Sequence, residues 1–378
     1  MCIALVTTAH PDYALVVIDN RDEYILRPTS RPHWWTTRAE PVPRGPNPSS
    51  SSSPHGANAA VDSTNPTDVE VLSSRDLQRA ERGTWLGITK GGNFAVLTNY
   101  RETNTSDTAH PVHGTRSRGG MVTAWLGAHP AESTDQFVHR MLDDDGGVKG
   151  VGGFSLICGK LRRAKYDKNI EPLAIISNRC DHAGQVPWIC GRRGSVYGLS
   201  NATYRRPGDP PEDGEDDEPI WPKIAVGRDK LSAVVSSAPA EAQLLPALFD
   251  LLDTQDFPPN RTLDLEQVIP LLKDSIFIPA VGGEQHQQQM EEARSRGKTG
   301  GNPPGGETPA PEDHPNGFET GLYGTQRQTV ILVDWEGNVT YTERALWDAN
   351  GNEILRGEGD ETFRFKIEGF EQLAELRN

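Results

Sequence analysis

Cys2 stands directly behind the initiator methionine and opens an apolar run, Cys2-Ile-Ala-Leu-Val-Thr-Thr8. A cysteine that becomes the first residue of a chain carries nucleophile and base together. Its free α-amino group has a reference pKa of about 7.7–8.0, so near neutral pH part of it is unprotonated and can take the thiol proton. The other chemistry-bearing residues follow soon after, in Asn20-Arg21-Asp22-Glu23. Beside such a nucleophile an arginine could hold substrate charge and an aspartate could fix the ammonium. The plainer readings are a small buried hydrophobe for Cys2 and a solvated strand exit for the charged run.

The elements around these residues decide whether they can meet. Residues 2–8 and Tyr13-Ala-Leu-Val-Val-Ile-Asp19 are apolar runs rich in β-branched residues, separated by Ala9-His-Pro-Asp12. Proline and aspartate make that junction a turn, so the stretch reads as a β-hairpin. A turn centred between His10 and Pro11 sets Cys2 opposite Asp19 and brings Asn20, Arg21 and Asp22 within reach of the chain's first residues. Arg21 and Asp22 are adjacent, and adjacent strand residues face opposite sides. Both can serve one site only if the strand has ended or bulged by Asn20.

Further blocks occur in a definite order. They are Arg27-Pro28 with Trp34, Gly83-Thr84-Trp85-Leu86-Gly87, Ala95-Val-Leu-Thr-Asn99 with Arg101, and Ser117-Arg118-Gly119. Then come Gly153-Phe154-Ser-Leu156, Tyr197-Gly-Leu-Ser-Asn201 with Trp221-Pro-Lys223, Tyr323-Gly-Thr-Gln-Arg-Gln-Thr329, and Val339-Thr-Tyr-Thr-Glu-Arg344. With Met-Cys-Ile and Asn20-Arg21-Asp22-Glu23 at the start, this series resembles the NRDE family, the transport and Golgi organisation protein 2 homologues. It spans residues 1–345 with gaps.

The resemblance implies an α+β fold, a four-layer αββα sandwich of the N-terminal-nucleophile hydrolase type. In the related choloylglycine hydrolases and acylases a mature first cysteine is supported by an arginine, an aspartate and asparagines of an oxyanion hole. Carried over, Cys2 is the nucleophile, Asp22 the partner of the α-amino group, and Asn201 and Asn99 the oxyanion donors. Arg21 is the ligand-binding cation, grouped with Asn20, Glu23 and Trp85. The hydrolases space arginine and aspartate a few residues apart, whereas here they are neighbours.

Two functions follow from the resemblance. One is a ligand-handling factor of Golgi organisation and secretory transport, tied to haem mobilisation and lipid homeostasis. Its pocket would hold a small anionic or acyl-bearing ligand, haem or an acyl-CoA, with no cofactor required. Its place would be cytoplasmic, in association with the Golgi or mitochondria. The alternative is a hydrolase acting on amide or thioester bonds through Cys2.

Composition bounds these readings. Only 35% of residues are hydrophobic and the mean hydropathy is −0.59, with 38 glycines and 29 prolines, so unfolded insertions are expected in a single domain over 1–378. They are placed at 38–69, 207–219 and 283–317, where large apolar residues are scarce and ordering entropy goes uncompensated. A net charge of −15 argues against nucleic acid as a partner. The four cysteines lack close pairing and fit a reducing compartment. No apolar stretch of about 18 residues suggests a transmembrane segment. Cys180-Asp-His182 with Cys190 matches no standard zinc spacing and reads as a surface loop, so no metal is expected.

The remaining pattern is mixed. Lys90-Gly-Gly92 joins strands at Thr84–Thr89 and Asn93–Tyr100, and Glu336-Gly-Asn338 joins Gln328–Trp335 to Val339–Leu346. Other strands are expected at Val151–Cys158, Leu173–Ser177, Ser195–Ser200 and Thr362–Ile367. Helices are expected at Ala131–Leu142, Arg228–Ser236, Ala240–Leu252 and Leu265–Lys273. Strands at both ends with helices between them suit sheets that collect distant segments.

The base at Cys2 exists only once Met1 is gone. Intact-mass measurement of the purified protein is therefore expected to show a chain starting at Cys2 with an unmodified α-amine. Full retention of Met1, or an acetylated amine, would exclude the N-terminal-nucleophile chemistry.

Overall fold

The computed structural model describes residues 2–39, 65–99, 116–143, 147–164, 168–202, 204, 221–258, 263, 265–299 and 320–371. In chain order the strands are β1 (Ile3–Thr7), β2 (Tyr13–Tyr24), β3 (His33–Ala39), β4 (Thr67–Ser73), β5 (Leu86–Thr89), β6 (Asn93–Asn99) and β7 (Phe154–Lys160). They continue with β8 (Leu173–Ser177), β9 (Trp188–Ile189), β10 (Val196–Leu199), β11 (Tyr323–Asp334), β12 (Asn338–Ala345) and β13 (Asp360–Lys366). The helices are α1 (Gly119–Leu126), α2 (Thr134–Asp143), α3 (Pro222–Ser236), α4 (Glu241–Leu252), α5 (Leu265–Val268) and α6 (Glu284–Thr299).

Two antiparallel sheets form the centre. One has the order β10-β1-β2-β11-β12-β13 and the other β3-β4-β5-β6-β7-β8-β9. Ala4, Val6, Leu15, Val17, Ile331 and Val333 meet Leu72, Phe94, Val96 and Ile157 of the second sheet in a common core. The alternate residues Ile3, Leu5, Val16, Ile18, Val330 and Leu332 pack on α3 and α4. The continuous apolar run of β2 thus serves a strand buried on both faces. Beyond the second sheet, α1 and α2 pack on Leu97, Phe154, Leu156 and Ile176. The layer order is helices, sheet, sheet, helices, which is the four-layer sandwich expected.

The hairpin register differs from the expectation. Ile3 pairs with Asn20 and Ala4 with Asp19, so Cys2 stands level with Arg21 rather than Asp19. The reason is a wide connection over 8–12 instead of a turn centred between His10 and Pro11. Thr7 Oγ1 accepts the Ala9 N–H at 3.0 Å and His10 Nδ1 accepts the Asp12 N–H at 3.1 Å. The His10 ring is buried, with Nε2 3.2 Å from the Pro239 carbonyl. A shift of two residues keeps every side chain on its face.

The insertions are shorter than expected where they are described. β3 runs to Ala39 and β4 begins at Thr67, leaving 40–64 outside the described residues. Residues 284–299, expected as loop, form α6, which buries Met290 and Ala293 while its remaining face stays polar. The stretches 207–219 and 300–317 lie outside the described residues. The helix expected at Leu265–Lys273 is one turn of α-helix followed by a 3₁₀ helix, Ile269–Lys273, with Pro270 at its start. Cys190 is buried between the sheets, whereas Cys180 packs on the helix side of the second sheet, so the two do not share a site.

Trp125 shows what fastens α1. It is fully buried, its indole N–H lies 3.0 Å from the Phe94 carbonyl and 3.3 Å from that of Gly159, and its ring centroid is 4.8 Å from that of Phe137. Trp125→Ala is expected to cost about 3–5 kcal/mol in urea unfolding, as for other large core truncations. A loss below about 1 kcal/mol would mean that α1 is not held this way.

Candidate functional site

Cys2 lies at the end of β1 where three strand ends meet. Its carbonyl accepts the Ser200 hydroxyl at 2.7 Å, and Ser200, just past β10, accepts the Thr98 hydroxyl on its own carbonyl at 2.8 Å. Thr98 belongs to β6 in the other sheet. The next residue, Asn201, donates its side-chain N–H to the carbonyl of Asn99. Cys2, Asn99 and Asn201 are therefore gathered from both sheets. Cys2 is 6% exposed, and its thiol is pushed up to about 11, chiefly by burial and further by the charges of Asp19 and Asp22. The Asp22 backbone, which bonds to it, and the terminal ammonium pull the other way.

β2 runs without a break through Tyr24, so the residues of the Asn20–Glu23 block alternate between faces. Asn20 and Asp22 face the helices. The Asn20 amide donates to the carbonyls of Leu252 and Ile276, each at 2.9 Å, and so ties α4 and the segment after the 3₁₀ helix to the sheet. Asp22 accepts the Thr325 hydroxyl at 2.7 Å, and Tyr323 donates to its backbone carbonyl at 3.2 Å. Burial raises the Asp22 carboxyl, opposed by the terminal ammonium, Lys223, the Thr325 bond and Arg21.

Arg21 faces the other sheet. Its guanidinium bonds to the side chain of Gln326 and lies 4.4 Å from the centroid of the Trp85 ring. Glu23 is 3.9 Å from Arg21 and 3.0 Å from Arg27, which in turn meets Asp76 at 2.5 Å. The irregularity that was needed near Asn20 occurs in the partner strand instead. β11 carries one extra residue, Gln326, between Thr325, opposite Asp22, and Arg327, opposite Arg21. The Gln326 amide spans to the carbonyls of Ile25 and Arg27. Arg21 and Asp22 thus leave β2 on opposite faces; at the sheet end the charges of both Asp19 and Asp22 bear on Cys2, and that of Asp22 on Lys223 as well.

Three charged residues were missed as site members. Lys223 is completely buried in the first turn of α3; burial lowers its pKa, and the charges of Asp22 and Cys2 oppose that shift. A cation is disfavoured at a helix amino end, and that misfit was a usable signal in Trp221-Pro-Lys223. Arg118 precedes α1 and donates to the Gly153 carbonyl at 3.3 Å. Burial lowers its pKa, with Glu23 and Cys2 opposing and Arg27 and Arg79 assisting. Asp19, on the Arg21 face, is 1% exposed, and neither carboxyl oxygen has a hydrogen-bond partner among the described residues.

Burial, with Asp22 and Glu343 nearby, raises Asp19 well above 3.8. The neutral carboxyl's contribution to stability is complete below that value and is lost as pH rises through the folded-state pKa. Asp19→Asn removes the titrating group. The variant is expected to be at least as stable as wild type at pH 7, with a flatter stability profile above about pH 4. Destabilisation by more than about 1 kcal/mol, measured by denaturant unfolding, would mean that a charged Asp19 is satisfied in the fold.

The Transport and Golgi organisation 2 family model matches residues 1–44 and 57–348. An uncharacterised Saccharomyces cerevisiae protein is 24% identical over 97% of this chain and 100% of its own length. The Homo sapiens Transport and Golgi organization protein 2 homolog is 26% identical over 89% of this chain and 88% of its own. Among solved structures, penicillin V acylase from Agrobacterium tumefaciens is similar with a TM-score of 0.40 and 13% identity, covering 98% of this chain and 88% of its own. A variant of conjugated bile acid hydrolase from Clostridium perfringens has a TM-score of 0.38 and 10% identity, with both chains covered completely. The family match covers most of the chain, and the chain belongs to the Transport and Golgi organisation 2 family.

Proposed function

We propose that this protein handles a small anionic or acyl-bearing ligand, haem or an acyl-CoA, at the Cys2 end of the sandwich, as part of secretory transport and Golgi organisation. The observation that carries this reading is the setting of the Cys2 thiol. It is buried, raised to about 11, and close enough to Lys223 and Arg118 for its charge to bear on both. Lys223, in the first turn of α3, and Arg118, just before α1, are the cations that could meet an anionic ligand there, beside the carboxylates of Asp19 and Asp22. In a chain with net charge −15, such a concentration of cations is an anchor for anions.

One feature favours a second reading, a cysteine N-terminal nucleophile acting on amides or thioesters. The α-ammonium of residue 1 is the first of the charges that oppose the Asp22 shift, so Asp22 is near the start of the chain. In a chain that starts at Cys2, Asp22 would hold the amine, the thiolate would attack the carbonyl, and Asn99 and Asn201 would face the oxyanion.

Titration calorimetry with palmitoyl-CoA and haem separates these readings. Wild type is expected to bind, and Arg118→Ala to weaken binding about ten- to a hundred-fold, the size of a lost charge-assisted contact. Absence of binding to wild type would overturn the ligand-handling reading. Covalent labelling by an electrophilic acyl probe, abolished in Cys2→Ala, would establish the nucleophile instead.

A further inference from the structure

Trp221 is the cap residue before α3, 3% exposed, and its indole N–H has no hydrogen-bond partner among the described residues. An indole N–H can only donate, and a buried one without an acceptor is uncommon enough to require an explanation. The surroundings are cationic. Lys223 Nζ lies 5.5 Å from the centre of the Trp221 ring, and Lys273 Nζ, from the end of the 3₁₀ helix, lies 5.6 Å from it. Two ammonium groups therefore converge on one indole from two separate segments.

The helix adds to the same field. α3 has 15 residues, begins with Pro222, which has no N–H, and has no side-chain cap. Its amino end carries the positive end of the helix dipole, the usual setting for a bound oxyanion. It also adjoins the site already described. A methyl group at Gly227 would lie 2.8 Å from Leu5 Cδ1, and one at Gly198 would lie 2.7 Å from Ile224 Cγ2, so α3 runs closely along β1 and β10. Its first turn thereby comes to the Cys2 end, where Lys223 senses both Cys2 and Asp22.

We propose that the amino end of α3 is an oxyanion subsite beside Cys2, in which the Trp221 indole N–H donates to a carboxylate or phosphate oxygen that Lys223 and Lys273 neutralise. This rests on the proposed ligand-handling function in one respect, that the oxyanion belongs to the same ligand as the group at Cys2. It moves the main anion anchor to the helix side of the first sheet, away from Arg21, whose guanidinium is held by Gln326 and Trp85.

The test is ¹⁹F NMR of the full chain labelled with 5-fluorotryptophan, with the Trp221 resonance assigned from Trp221→Phe. Inorganic phosphate and acetate are titrated separately, against sodium chloride at matched ionic strength. Saturable movement of the Trp221 resonance with phosphate or acetate, absent with chloride, is expected, and the more effective anion identifies the oxyanion. Lys273→Gln, at the half-exposed lysine, is expected to weaken that response about ten-fold. No saturable movement with either anion, or an unchanged response in Lys273→Gln, overturns the subsite. If palmitoyl-CoA binds wild type, Trp221→Phe and Lys273→Gln equally, the subsite falls while ligand handling stands. If phosphate or acetate moves the resonance but neither palmitoyl-CoA nor haem binds, the subsite stands and the ligand-handling reading falls.

Discussion

Every part of the Cys2 region depends on the pleat of β2. Successive residues of a strand leave it on opposite sides, and β2 is buried on both. Asn20 and Asp22 go to the helices, and Asp19 and Arg21 to the facing sheet. One strand thereby supplies a bracket for α4, a carboxylate at Cys2 and a guanidinium stacked on Trp85. No rotation of side chains could exchange these duties, because a one-residue slip would turn the apolar residues of β2 out of their two cores.

Burying so many polar groups is costly unless each has a partner. Most of them do. Glu343 takes the Ser74 hydroxyl at 2.7 and 2.8 Å and lies 3.9 Å from Arg327, while Arg27 links Glu23 to Asp76. Among the exceptions, Asp19 and the Trp221 N–H lie on opposite faces of the first sheet, one acidic and one a donor. A region that tolerates such groups is held by its surroundings rather than by its own contacts, as sites built for ligands commonly are.

Much of the fold was legible where local chemistry was decisive. Lys90-Gly-Gly92 and Glu336-Gly-Asn338 mark tight turns, and Gly92 and Gly337 do take positive φ of 82° and 80°. α4 shows its core stripe in Leu244, Leu248, Leu251 and Leu252. α1 was not legible, because it opens with Gly119-Gly120 and lacks a side-chain cap; it is fixed by close approach to Gly83 and by Trp125. α6 was masked by its glutamines, since Met290 and Ala293 are too few to make a periodic signal. In the site, Cys2, Asp22 and Asn201 could be grouped from motifs. Lys223 could not be assigned to them, because its neighbours Asp22 and Cys2 are remote in sequence.

The extra residue in β11 constrains register as well as chemistry. Gln326 sits between two stretches of regular pairing, and drawing it into the ladder opposite Asp22 would slip the residues before it by one position along β2. That slip would turn Thr325 and Tyr323 to the opposite face, taking the hydroxyl from Asp22 and the phenol from its backbone carbonyl. Deleting residue 326 would leave Thr325 opposite Asp22 but remove the amide that bonds Arg21 and spans to the Ile25 and Arg27 carbonyls. Among descendants of this chain, residue 326 should therefore keep both its presence and its amide.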